Sequence, residues 1–182
     1  MLPKRKWYRR PFDIVMGKAI FYFVLYLLMA IYMYGAVTKW FCLPDLSDYW
    51  VFLQFIIPYI LACIFMAMVL SVLVYRREDC IMLFVFLSVP LLFMSGISWP
   101  GSEIPTFWKY VSWLFPSTFG MNGYLRIMGT GASIADVQHE YIGLWCQVLV
   151  YATLACLMYG LRLKAIIKRL SSAEARIRIY QG

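Results

Sequence analysis

Four long apolar runs decide what this chain can become: Ala19–Val37, Tyr49–Tyr75, Cys80–Ile97 and Gly143–Leu163. A helix crosses the ~30 Å hydrocarbon core of a bilayer in about 17–25 residues, and each run falls in or near that range. None contains Asp, Glu, Lys or Arg before its last turn, so crossing buries no charge in lipid. Backbone in lipid must satisfy its own hydrogen bonds, which leaves helices as the form these runs can take. The composition follows, at 63% hydrophobic and 14% charged, where a soluble domain is about half apolar and a quarter charged. The expected fold class is an all-α membrane protein, one transmembrane domain over residues 1–182 with about four spanning helices. Pro58 marks a candidate kink in the second span. Arg162 ends the fourth, where a long side chain reaches the interface.

The net charge of +8 would suggest nucleic acid in a soluble protein. Here the charges flank apolar runs, so they set topology and no nucleic-acid partner is expected. Lys4, Arg5, Lys6, Arg9, Arg10 and Lys18 precede the first run, and Arg76 and Arg77 separate the second from the third. Arg162, Lys164, Lys168, Arg169, Arg176 and Arg178 lie at or beyond the end of the fourth. Of 17 Lys and Arg residues, only Lys39, Lys109 and Arg126 fall on the other side. Positive charge gathers on the cytoplasmic side. Both termini and the Tyr75–Asp79 turn are therefore expected in the cytoplasm, with 38–48 and 98–142 outside. Residues 164–182 read as a basic cytoplasmic tail that continues the last helix.

The outer segment is not a plain polar loop. Eight aromatic residues crowd between Trp99 and Tyr124, punctuated by Pro100, Pro105 and Pro116. Pro suits the first turn of a helix, and Trp and Tyr favour the membrane interface. The expected form is two short helices, about Pro105–Phe115 and Pro116–Met128, in an outer hairpin over about 98–131. The hairpin either lies in the interface or dips back into the membrane between the third and fourth spans. Its non-helical breaks must be covered by protein. Gly131 closes it, and Ser133 is positioned to cap a polar turn through Asp136 and Glu140.

Several chemistries are absent. No G-x-x-x-x-G-K-[ST] occurs, so the chain has no P-loop for nucleotide. The one His, His139, excludes bis-His haem and most His-based metal clusters. No carboxylate lies within a span to couple proton or sodium movement, and no G-x-S-x-G is present. The chain is expected to bind no cofactor and to catalyse no reaction. Tyr22, Tyr26, Met29 and Met33 form a stripe at helical spacing, read as helix packing with a path-lining aromatic wall as the alternative. Gln54, Ser71, Ser88, Gln147 and Thr153 are read as hydrogen-bonding between helices. Arg126 is assigned either to an anionic lipid headgroup or to Asp136 or Glu140.

The outer segment carries a family resemblance. Ser95, Gly96, Pro100, Pro105 and Trp108, followed by Pro116-Ser117-Thr118 and by Arg126-Ile127 with Gly131, resemble the C-terminal signature of type-2 ATP-binding-cassette (ABC) permeases. Phe12, Gly17 and Lys18 resemble the stretch that leads into that family's third span. The resemblance runs from about Pro11 to Tyr159. It implies an exporter permease whose short re-entrant helices close the outer end of a path between two halves. Separate cytoplasmic subunits would hold ATP and Mg and drive the movement. The four runs correspond to the family's third to sixth spans, so the chain is expected to be the C-terminal part of a permease or a split subunit. The partners implied are membrane lipids, an ABC ATPase, and a second half or a second copy, in a bacterial inner membrane. Gly96, Pro100, Pro105, Trp108, Pro116, Arg126 and Gly131 are the expected hairpin residues. Phe12, Lys18, Arg76, Arg77 and Glu78 are candidates for the face that meets the ATPase, and Tyr22 and Tyr26 for the path. Two other classes stay open: a stand-alone four-span carrier of lipid-linked sugars, and a non-transporting accessory subunit.

Overall fold

The computed structural model of the chain describes residues 11–41, 48–74, 77–94 and 106–180. Among them the regular structure is all helical. Helix α1 (Pro11–Tyr32) runs on through a π-helical segment, Met33–Val37, into the short α2 (Thr38–Trp40). Then come α3 (Tyr49–Leu73), α4 (Arg77–Met94), α5 (Thr106–Ser112), α6 (Pro116–Thr130) and α7 (Gln138–Tyr180).

Among the described residues three helical stretches are long and apolar enough to cross a membrane: Val15–Trp40, Tyr49–Val72 and Gln138–Arg162. The third apolar run, Cys80–Ile97, is helical as far as Met94, and its last three residues lie outside the described residues. Its helix, α4, begins on Arg77, Glu78 and Asp79, so the described part has only Cys80–Met94 free of charge. The first span is longer than its apolar run at both ends, because the helix does not stop at Thr38. The Thr38 hydroxyl donates to the Tyr34 carbonyl and ties the π-helical turn to α2. Phe12–Lys18 is likewise the opening of α1 rather than a separate element. The fourth span starts at Gln138, five residues before its apolar run, since Gln138–Ile142 adds one interfacial turn. The basic tail is a helical continuation of that span to Tyr180.

α3 is the central element, packing against α1, α6 and α7, while α6 also packs on α7. The core gathers Phe55, Ile60, Ala62 and Ile64 from α3 with Ile127 of α6 and Leu144 and Ala155 of α7. Contacts fix the helix directions. The Tyr34 ring stacks on Phe52 at 4.4 Å and 18°, joining the far end of α1 to the start of α3. At the other end, Lys18 Nζ lies 5.3 Å over the Tyr159 ring of α7. The Arg162 guanidinium donates to the Val72 carbonyl there as well. α3 and α7 therefore run the same way, and α1 runs against both. α3 continues helically through Pro58, which is buried. The break in hydrogen bonding that proline imposes is tolerated where neighbouring helices cover it.

Candidate functional site

The most heavily constrained feature is the helical hairpin α5–α6. Residues Ala132–Val137 return it to α7. Gly96, Pro100 and Pro105 lie outside the described residues, so the observed hairpin begins at Thr106. Trp108 sits on α5, half exposed, its ring edge-on to Phe107. α5 is shorter than the expected Pro105–Phe115: Trp113–Phe115 form the turn, because the ring of Pro116 admits no continuous helix. Pro116 occupies the first turn of α6 and is buried. α6 reaches Thr130, two residues past the expected end, and Gly131 stops it in the left-handed conformation, φ 64°, which glycine adopts without a Cβ penalty.

The tip of this hairpin leaves carbonyls that no helix satisfies, and other side chains supply the donors. Thr118 Oγ1 donates to Ser112 O at 2.9 Å. Gln147 Nε2 donates to Trp113 O at 2.6 Å. The Tyr151 hydroxyl donates to Leu114 O. Helix ends expose such acceptors, and lipid offers nothing to bond them. Gln147 and Tyr151 lie nine and thirteen residues past the start of α7. At 1.5 Å per residue this is about 14 and 20 Å along it. The tip thus meets α7 well inside its apolar length rather than at its Gln138 end. Of the five polar residues read as bonding between helices, Gln147 does so. Ser88 and Thr153 bond instead to carbonyls of their own helices, Val85 and Val150, at 2.9 and 2.8 Å. Short hydroxyl side chains reach back more easily than across. Gln54 and Ser71 are exposed.

α6 is seated on α3 by two glycines. A Cβ on Gly120 would stand 2.2 Å from the Tyr59 ring, and one on Gly123 would stand 2.2 Å from the Phe55 ring. Small residues let helices approach closely in membranes, where packing drives association. The sequence reading did not single out this pair. The signal for it was Gly120-Met-Asn-Gly123, two glycines three apart on one helical face. Tyr151 was also missed, hidden as an ordinary aromatic in an apolar run.

Polar contacts close the end of the bundle where α6 leads into α7. Arg126 pairs with Glu140 at 3.1 Å and donates to Asp136 O at 3.5 Å, so of the two carboxylates the sequence offered it is Glu140 that it meets. The Ser133 turn reverses the expected roles. Asp136 Oδ2 accepts from Ser133 N at 2.9 Å and from Ser133 Oγ at 2.8 Å, so the aspartate caps and the serine donates. These bonds hold the Asp136 carboxyl below its usual range. The folded pKa lies below the unfolded value of about 3.9. The turn is therefore supported above that value and loosens as pH falls through the folded pKa. Protection of the Ser133 amide from hydrogen exchange, corrected for intrinsic rates, is expected to drop on acidification. In Asp136→Asn it is expected to be low and nearly pH-independent. Equal pH dependence in the two proteins would remove this role for the carboxylate.

A groove of 690 Å³ opens between α1 and α3. Tyr22 and Tyr26 form one wall, and Ile60, Ile64 and Met68 of α3 lie opposite. Lys18, Ser71 and Tyr159 stand at one end and Ala30 and Ile56 at the other, with Phe84 of α4 at the side. The tyrosine–methionine stripe is not packed within the described chain: Tyr22 is 43% exposed, Tyr26 51% and Met33 56%. The core-facing side of α1 is the neighbouring row of Val15, Ala19, Phe23 and Leu27, and Tyr22 and Tyr26 border the groove beside it. Phe12 and Glu78 are exposed at the ends of α1 and α4 where the basic residues gather. Arg77 opens α4, and Arg76 lies outside the described residues. No ion pair joins Lys18 to Glu78.

No curated protein and no solved structure matches the chain. A family model described as ABC-2 family transporter protein matches residues 9–157, most of the chain, and covers α1 through the apolar length of α7. With the hairpin and spanning helices it encloses, this match places the chain in the ABC-2 family of transporter proteins, as an integral membrane permease of the ABC type.

Proposed function

We propose that the chain forms part of an exporter, moving a substrate outward with energy from ATP hydrolysed on a separate subunit. The family match over residues 9–157 carries this reading. The absence of a P-loop supports a separate ATPase, which would hold ATP and Mg. The Lys/Arg asymmetry supports an orientation with both ends of the chain in the cytoplasm of a bacterial inner membrane. A second permease half or a second copy would complete the path, and Tyr22 and Tyr26 are candidates to line it.

In this reading the ATPase meets Phe12, Lys18, Arg76, Arg77 and Glu78. The bonds from Gln147 and Tyr151 to the tip, and the Gly120 and Gly123 contacts, tie α5–α6 to α3 and α7. A tilt imposed on those helices from the cytoplasmic side would then carry the outer hairpin with them as one body. Closely packed cores transmit displacement because they are hard to compress.

The reading is tested with a photo-crosslinking residue at position 12 or 78, in membranes of the native host. Adducts containing a P-loop ATPase are expected from both positions, and none from position 110 on α5. Arg76→Ala with Arg77→Ala is expected to lower the yield of ATPase co-purified with the chain. No ATPase adduct from either cytoplasmic position, with unchanged behaviour of the double variant, would sink the assignment of this face.

A further inference from the structure

We propose that the groove between α1 and α3 is a binding site for one anionic phospholipid, its phosphate on Lys18 and an acyl chain along Tyr22 and Tyr26. The dimensions come first. From Lys18 to Ala30 the groove follows α1 for about 18 Å at 1.5 Å per residue. Half of a ~30 Å hydrocarbon core is about 15 Å. The groove therefore spans one leaflet, from interface to midplane, and its 690 Å³ lies within the ~300–1,000 Å³ typical of ligand sites.

The chemistry is graded along that length. Ile60, Ile64 and Met68 give an apolar floor through the middle. At the Lys18 end the ammonium is exposed and lies over the Tyr159 ring, with Ser71 beside it in the lining. The Arg126–Glu140 ion pair lies at the opposite end of the helices, and no described carboxylate pairs with Lys18. A cation at the membrane surface, at the mouth of a slot between helices, is suited to an anionic headgroup. A zwitterionic lipid would offer the same chain but no net negative charge. The inference does not depend on the exporter reading, since such a lipid can be held whether or not anything is transported.

The test uses the full chain reconstituted in vesicles, with Tyr26→Trp as a reporter at mid-groove and the unsubstituted protein's signal subtracted. Vesicles contain phosphatidylcholine with a minority of either phosphatidylglycerol or phosphatidylcholine brominated in mid-chain. Quenching of the reporter is expected to be several-fold stronger with brominated phosphatidylglycerol. Adding Lys18→Gln is expected to bring the two lipids to parity, and Lys18→Arg to keep the preference. Equal quenching by both lipids in the reporter protein would mean that the groove is merely solvated by hydrocarbon. No quenching by either would mean that protein covers it. A preference that survives Lys18→Gln would remove Lys18 as the headgroup contact. Each of these three results overturns the proposal.

Discussion

Gly123→Leu is expected to lower the stability of the purified protein by about 3 kcal/mol, because the added side chain must occupy the place of the Phe55 ring. Phe55 is 1% exposed and has no free direction to move. Gly123→Ala tests the balance of two opposed effects. Alanine favours a helix over glycine by about 1 kcal/mol. A Cβ 2.2 Å from a buried ring calls for displacement of α6 or α3, which typically costs about 1–3 kcal/mol. A net loss is expected. Gly129→Ala is the control on the same helix: its Cβ would meet nothing within 4 Å, so only the propensity gain remains. Phe55→Leu combined with Gly123→Ala is expected to be less destabilising than the two single effects added, since the ring that blocks the Cβ is gone. Denaturant-induced unfolding in mild micelles measures these variants and the Phe55→Leu single variant. Gly123→Leu as stable as the parent would mean that α6 does not rest on α3 at this point.

Tyr151→Phe is expected to free the turn of the hairpin without disturbing the rest of α7. It leaves the Leu114 carbonyl with no donor. An unsatisfied buried group costs about 1–3 kcal/mol, whereas hydrogen bonds inside membrane proteins average about 0.6 kcal/mol where other partners are found. The Leu114 carbonyl is bonded by α7 while the Leu114 side chain stays exposed, so a value between them, about 1–2 kcal/mol, is expected. Gln147→Leu should be milder. It orphans the Trp113 carbonyl but also removes Gln147 Oε1, a buried acceptor that itself has no partner. The combined variant should exceed either one, and less than additively, because both act on one turn. Hydrogen exchange of residues 106–116 reads the effect. Each 1.4 kcal/mol corresponds to about a tenfold change in an equilibrium constant, so the combined variant should speed exchange there by roughly tenfold or more. Unchanged exchange in that variant would show that α7 does not hold the tip.

Much of this architecture was legible in the residues. Hydrophobic run length found α1, α3 and the apolar part of α7, because the bilayer imposes one length on every span. Pro116 and Gly131 marked both ends of α6, since one restricts φ and the other relaxes it. The helix boundaries moved where no side chain dictated them. α1 continued past Val37 because helical hydrogen bonding costs nothing extra in Thr38–Trp40, and α4 took in three charged residues as its first turn. The stripe of Tyr22 and Tyr26 was visible as a pattern, but periodicity reports that a helix has faces, not which face meets protein.

The sequence alone therefore determined the class of the molecule: helices of membrane length, a helical hairpin before the last span, and charge gathered toward one side. Those properties depend on local composition and on the solvent, and both can be read one segment at a time. Tertiary structure decided the depth of the hairpin, the donors for its tip, the close approach at Gly120 and Gly123, and the groove at Lys18. Each depends on atoms distant in the chain meeting within hydrogen-bond or van der Waals range, as Leu114 meets Tyr151 and Gly123 meets Phe55. No spacing within a single segment encodes such a meeting.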